Sequence, residues 1–254
     1  MRIRIVVANI QSGIGVTQGY RQYVTSGWRY LFPHDSKGAM DAGTFLKTED
    51  TDIALLTEVD AGSHRSKHAS QIDAMATGSG LPHSRFFPTL VMGTAIHEGN
   101  AILSRFPISA HRSYPLLSHM SPRTLGETAL ILPDNTSMTA LVAHLALGSK
   151  PREVQLAEIA EYIKSIEGPF VLGGDFNERD HRSFKLLKRA GLTPVSVAGY
   201  PSWKPRHALQ VLFLSHHFSL IQASVPDGAR FSDHLPLIVE VTYGESEFYA
   251  SAAP

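Results

Sequence analysis

Short apolar runs of strand length punctuate this chain, and they limit its fold more than any other feature. They lie at Ile3–Ile10, Ile53–Thr57, Ala101–Ser104, Thr128–Leu132, Met138–Leu145, Phe170–Gly174, Leu209–Ser215 and Leu237–Tyr243, each bounded by Gly, Pro, Asp, Asn or Ser. In the first run, Ile3, Ile5 and Val7 alternate with Arg2, Arg4 and Val6, which is strand periodicity. Helical patterns separate only some of the runs. One begins after Ser149 with Pro151 in its first turn, carries Leu156, Ile159, Ala160 and Ile163 on one face, and ends at Gly168. A second runs from a cap at Asp180 through Phe184 and Leu187 to Gly191, and a weaker third carries Ile72, Met75 and Ala76. Because several strands follow one another directly, the pattern predicts an α/β sandwich with mixed sheets, not a doubly wound parallel sheet. No repeat or linker interrupts it, so one domain is expected over residues 1–243, with a loose tail at 244–254.

Composition narrows the chemistry. The 254 residues contain no cysteine, which excludes disulfide staples and thiolate nucleophiles or metal ligands. At 43% hydrophobic and 18% charged, the chain has material for a sizeable core. Lys plus Arg number 23 and Asp plus Glu 23, a balance that argues against gripping nucleic acid by bulk charge. It leaves room for a local basic groove. No segment reaches the roughly 18–20 unbroken apolar residues of a membrane span, so a cytoplasmic, monomeric protein is expected.

Several predicted strands end on polar groups that a strand does not need. Asn9 closes the first and Glu58 the second; His144 closes another, Gly173-Gly174-Asp175-Phe176-Asn177 follows a fourth, and Ser232-Asp233-His234 precedes the last. Taken singly, Asn9 could cap a turn, Glu58 could be a solvated strand end, Asp175 and Asn177 could make a turn, and His144 could be a core histidine. Together, at strand ends, they would supply hard oxygen ligands for Mg²⁺ or Mn²⁺ and imidazoles for proton transfer.

In that order, ANIQSG, LLTEVD, GNAILSR, AHLALG, VLGGDFNE and FSDHLPLIV resemble the motifs of the endonuclease/exonuclease/phosphatase superfamily. The resemblance runs from about Ile3 to Val241. It implies a four-layered α/β/β/α sandwich with two mixed sheets, and divalent-metal-dependent hydrolysis of phosphoesters. Carried over by position, it implies Glu58 as principal Mg²⁺ or Mn²⁺ ligand, with Asn9 and Asp233 in the metal network. Asp175 and Asn177 would orient the attacking water and bind phosphate oxygens, His144 would contact the scissile phosphate, and His234 would be base or phosphate-stabilising imidazolium. Whether Asp175 or His234 takes the proton stays open. Asn100 in GNAILSR and Arg123 in SPRTLGE are expected on the substrate, and Arg65 is a candidate phosphate clamp or a surface-turn residue. The substrate expected first is nucleic acid, cleaved as a phosphodiester; a phospholipid or inositol-phosphate headgroup comes second, and a catalytically impaired binding protein is the rival of another class.

Two positions depart from the family pattern. Gln11 stands where an acidic residue is common, and Gln210 stands where an Asp usually orients the catalytic histidine. A neutral amide would raise that histidine's pKa less than a carboxylate does. Between the first two strands lies an aromatic insertion in which Tyr20, Tyr23, Trp28, Tyr30 and Phe32 are interspersed with Arg21 and Arg29. It either faces substrate or packs onto the sandwich. Gly13-x-Gly15 with Gly19, the His64/His68 pair and His216-His217 carry no expectation of function.

Overall fold

A computed structural model describes residues 1–30, 32–118, 121–226 and 228–244. The expected tail therefore lies, from residue 245 onward, outside the described residues. In chain order the strands are β1 (Arg2–Asn9), β2 (Ile53–Asp60), β3 (His83–Met92), β4 (Ile96–Ser104), β5 (Ile108–Leu116), β6 (Arg123–Ile131), β7 (Ser137–His144), β8 (Phe170–Asp175), β9 (Thr193–Val195), β10 (Gln210–Leu214), β11 (Phe218–Ser224) and β12 (Leu237–Tyr243). The helices are α1 (Tyr20–Ser26), α2 (Lys37–Thr48), α3 (Gln71–Ser79), α4 (Ser149–Tyr162) and α5 (Lys185–Arg189).

The strands form two six-stranded sheets, ordered β11-β12-β1-β2-β4-β3 and β5-β6-β7-β8-β10-β9. Both are mixed: β1 runs parallel to β2 and β7 parallel to β8, while the remaining pairings are antiparallel. Alternation along each strand dictates the layers. Ile3, Ile5 and Val7 of β1 face Met138, Ala140 and Val142 side chains across the inter-sheet core, while Val6 and Ala8 pack outward with Ala39, Ala42 and Leu46 of α2 and Met75 of α3. On the second sheet, Leu141, Leu172, Val211 and Phe213 pack outward on Leu156 and Ile159 of α4 and Leu187 of α5. Both faces of each sheet are thereby buried, which gives the expected α/β/β/α order.

The eight interior strands coincide with the apolar runs of the sequence, although β4 and β6 begin earlier than those runs. The four strands without such a run, β3, β5, β9 and β11, are the four sheet edges. β5 and β11 are exposed along most of their length, so no apolar alternation marks them. α4 starts at Ser149 as expected and continues as a 3₁₀ turn to Ser165. The helix expected from Asp180 is a 3₁₀ turn at His181–Phe184, capped by the Asp180 carboxylate, that passes into α5.

One backbone contact sets how closely the second sheet can pack. Gly174 has φ +149°, and a Cβ there would lie 1.8 Å from the Ala143 carbonyl oxygen. At Gly173 a Cβ would lie 2.5 Å from Leu55 Cδ1 of the opposite sheet. Gly174→Ala is therefore expected to cost about 3 kcal/mol or more, from backbone strain plus the clash. In thermal melts this should lower Tm on the order of 6–12 °C, and an unchanged Tm would refute the assignment.

Candidate active site

The C-terminal ends of the two parallel strand pairs open into one cleft. Asn9 ends β1, and Glu58 lies near the end of β2; His144 ends β7 and Asp175 ends β8, directly opposite in register. The cleft has a volume of about 410 Å³ and is lined by Glu58, Arg123, His144, Arg152, Asp175, Asn177, Arg179, Tyr200, Asp233 and His234.

Local backbone irregularities aim the side chains. In β2, the register with β4 shifts so that Thr57 and Glu58 together oppose Asn100, a bulge, and Glu58 adopts φ +53°. Asn177, at φ +50°, turns the chain directly after β8. Positive φ at residues other than glycine is uncommon and persists where the surroundings hold it. Here both residues are held by bonds to the site. Asn9 Nδ2 donates to Glu58 Oε1 at 2.9 Å and to Asp175 Oδ2 at 3.1 Å, linking the two sheets. The Asn177 amide N–H donates to Asp175 Oδ1 at 2.9 Å, and its side chain donates to the Leu145 carbonyl at 2.9 Å.

One wall of the cleft is acidic. Burial raises the pKa of Glu58, the Glu98, Asp233 and Asp175 carboxylates raise it further, and the bond from Asn9 opposes them; the result is about 8. A half-buried carboxylate beside other carboxylates and without a cationic partner is the kind of group a hard divalent ion satisfies. The residues present fit such an ion: Glu58 would be its main protein ligand, with Asp233 close by. Among the described residues, no three His, Asp or Glu groups converge into a closed cage.

The other wall donates. Arg123 Nη1 lies 3.2 Å from His144 Nδ1. A guanidinium only donates, and so does the amide nitrogen of Asn177, which lies 3.1 Å from Nε2, so each ring nitrogen faces a donor. Burial, Arg123 and His234 pull the His144 pKa down to about 3, and the imidazole is neutral at physiological pH. The Asn177 side chain thus lies against His144 at the cleft wall, beside Arg123. Arg123 Nε is buried and has no partner.

Behind these walls, His234 is flanked by Tyr200, with ring centroids 4.5 Å apart, and its Nδ1 lies 3.5 Å from Asp175 Oδ2. Gln210 reaches that same nitrogen, so this amide does contact His234 where a carboxylate was expected from the family pattern; its Oε1 has no partner. Asp233 accepts from the Tyr23 hydroxyl, which burial and Asp233 itself keep protonated.

Other expected site residues are placed elsewhere. Arg65 is 2% exposed, and its guanidinium is spent on Asp60 at 2.7 Å, Glu98 at 2.7 Å and Ser12 at 2.8 Å. It balances the buried Asp60 and half-buried Glu98 carboxylates and does not line the cleft. Asn100 is buried opposite the β2 bulge and donates to the Thr124 carbonyl, tying one sheet to the other. Gln11 spends its amide on Val16 N–H and the Tyr30 hydroxyl, so it holds the following loop. Tyr200, Arg152 and Arg179 were not singled out by sequence. Arg179 had a signal, since it follows Asp175-Phe176-Asn177-Glu178 directly.

A profile of the "Endonuclease/Exonuclease/phosphatase family" matches residues 8–234. The uncharacterized protein YbhP of Escherichia coli K12 is 26% identical over 159 residues, which are 57% of this chain and 63% of YbhP. The alignment thus spans under two thirds of that relative. Among solved structures, an endonuclease/exonuclease/phosphatase from Beutenbergia cavernae superposes with TM-score 0.74 at 18% identity, covering 96% of this chain and 72% of its own. A mannosyl-6-phosphatase of Bacteroides thetaiotaomicron gives TM-score 0.67 at 15% identity, over 95% and 100%. Zebrafish (D. rerio) TDP2 complexed with a single-strand DNA product gives 0.66 at 13%, over 95% and 99%. At these identities the superpositions establish the shared fold.

Two outcomes follow from the electrostatics. Glu58 carries a proton to about pH 8, so a cation must displace it. Mg²⁺ affinity should rise as pH climbs through 7 to 8, and calorimetry in buffers of different ionisation enthalpy should show proton release at pH 7 that Glu58→Gln abolishes. Arg65→Ala leaves the buried Asp60 and half-buried Glu98 beside no cation and should cost about 3–5 kcal/mol in denaturant unfolding. A loss below about 1 kcal/mol, the level of a surface ion pair, would show that Arg65 is not their counterion.

Proposed function

Because the chain belongs to the Endonuclease/Exonuclease/phosphatase family, we propose that it is a divalent-metal-assisted phosphoester hydrolase acting in the cleft between Glu58 and Arg123. The observation that carries this reading is the buried, unpartnered Arg123 Nε beside His144 and Asn177 in the cleft that Glu58 and Asp233 also line. Such donors suit the non-bridging oxygens of a phosphate, and facing carboxylates suit a cation. A Mg²⁺ or Mn²⁺ ion bound at Glu58 would polarise a phosphoryl oxygen and offset the charge that develops on it.

The protein's own groups then divide the work. Arg123, Asn177 and neutral His144 hold the phosphate oxygens. Asp175, fixed by Asn9 and the Asn177 amide, orients the attacking water. The water's proton passes to the Asp175–His234 pair, whose carboxylate and imidazole are 3.5 Å apart. Water oxygen adds to phosphorus, the P–O ester bond breaks, and the leaving oxygen takes a proton from solvent and departs as the alcohol, the Asp175–His234 pair returning its proton to solvent.

Nucleic acid is the substrate the family's breadth puts first. The cleft of about 410 Å³ and the formal charge of +0 favour a compact phosphoester over a long polyanion. A phosphodiester with a small headgroup is the preferred substrate class.

Purified protein assayed with Mg²⁺, Mn²⁺ or EDTA on a chromogenic phosphodiester, a glycerophospholipid, a sugar phosphate, plasmid and abasic duplex DNA tests this directly. Metal-dependent turnover is expected, with Asp175→Asn and His234→Ala each reducing kcat by about 10²–10⁴. No metal-dependent turnover on any substrate would overturn the enzyme assignment. Cleavage restricted to DNA would overturn the compact-substrate preference alone.

A further inference from the structure

Helix α1 has its polarity inside out. A surface helix normally turns apolar residues inward and polar residues to solvent. In α1 the inward residues are Gln22, Tyr23 and Ser26: Gln22 bonds to the Thr17 and Gln18 amides and the Gly15 carbonyl, Tyr23 donates to Asp233, and Ser26 is buried. The outward residues are Tyr20 and Val24 of α1 and Trp28 of the 3₁₀ turn that follows it at Gly27–Tyr30, exposed to 65%, 85% and 49%; the Tyr20 ring also meets Trp203 edge-on, with centroids 5.2 Å apart. Phe32, four residues after Trp28, is 59% exposed. Isolated exposed apolar residues are ordinary, but a stripe continued over three turns is a binding surface or a liability.

We propose that this stripe docks the protein on an anionic phospholipid surface. Charge complementarity selects that occupant. From Gly19 to Pro33 the sequence has no Asp or Glu and carries Arg21 and Arg29. Arg21 is exposed; Arg29 is half-buried, donates to the Ile14 carbonyl at 2.9 Å and lies 5.6 Å from the Trp28 ring centroid. Aromatic rings interleaved with arginines are the composition of segments that lie at the boundary between headgroups and acyl chains. No helix of the described residues is long and apolar enough to cross a membrane, so the association is peripheral.

The same helix connects this surface to the cleft. Its outer face carries Tyr20 and Val24 and leads into the turn that carries Trp28, and its inner face holds Asp233 through Tyr23. Docking therefore sets the mouth of the cleft beside the lipid headgroups. The docking is independent of whether the cleft's substrate is a lipid, and its test needs no turnover.

Sedimentation with vesicles of phosphatidylcholine alone, or with phosphatidylglycerol added, measures the binding. The full chain should bind the anionic vesicles, with weakening in high salt and a blue shift of tryptophan emission that Trp28→Phe removes. Val24→Asp combined with Trp28→Asp should weaken binding about tenfold or more, and Arg21→Glu should weaken it only for the anionic vesicles. Circular dichroism, thermal melts and hydrolysis of a soluble phosphodiester should be unchanged, since none of these residues belongs to the cleft. Absence of binding to anionic vesicles would overturn the proposal, as would binding that all three variants retain. Concentration-dependent self-association, or binding to single-stranded DNA, that the double variant abolishes without any vesicle binding would assign the stripe to a second copy or to nucleic acid and overturn it equally.

Discussion

A single side-chain amide holds the site together. Asn9 donates one N–H to Glu58 of its own sheet and another to Asp175 of the facing sheet. Two carboxylates at this separation would repel, and each oxygen would lack a donor. A neutral residue with two donors resolves both problems without cancelling the charge a cation needs. The Asn9 carbonyl oxygen in turn accepts from the Gln11 amide, so the loop after β1 is tied to the same point. Neither Asp, with no donors, nor Ser, with one, can make these contacts together.

The interior strands were legible because both of their faces are buried. Ile5 and Val6 point to different layers, yet both meet apolar neighbours, so the run reads as continuous hydrophobicity. The edges β3, β5, β9 and β11 lack that signature. In β5 the segment Ala110-His111-Arg112-Ser113 faces solvent and looks like a loop in sequence. Helix α1 was hidden for the opposite reason, because its apolar residues face outward and its inward contacts are polar.

The cleft residues were legible because a strand gains nothing from ending on Asn, Glu, His or Asp. Their placement at adjacent strand ends brings Asn9, Glu58, His144, Asp175, Asn177, Asp233 and His234 together. Proximity in sequence misdirected where a side chain had competing partners. Arg65 follows Glu58 by seven residues, but the nearer Asp60 captures its guanidinium at 2.7 Å. Asn100 opposes Glu58 across the bulge, but its amide turns towards β6. A sequence shows which donors are available, and only the packing shows which acceptor claims each one.

The four edge strands also bear on how the molecule avoids its own kind. An open edge offers unpaired backbone groups to any other strand, and edge-to-edge pairing is a route to fibrous aggregates. Every proline within a strand of this protein is on an edge: Pro88 in β3, Pro115 in β5 and Pro194 in β9. The fourth edge, β11, has none and instead carries a register break between Leu220 and Gln222. Proline removes a donor from the ladder, and a bulge twists the edge away from a flat partner. Each open margin of the two sheets thus carries its own obstacle to strand addition, which lets two six-stranded sheets end in solvent without becoming a template for polymerisation.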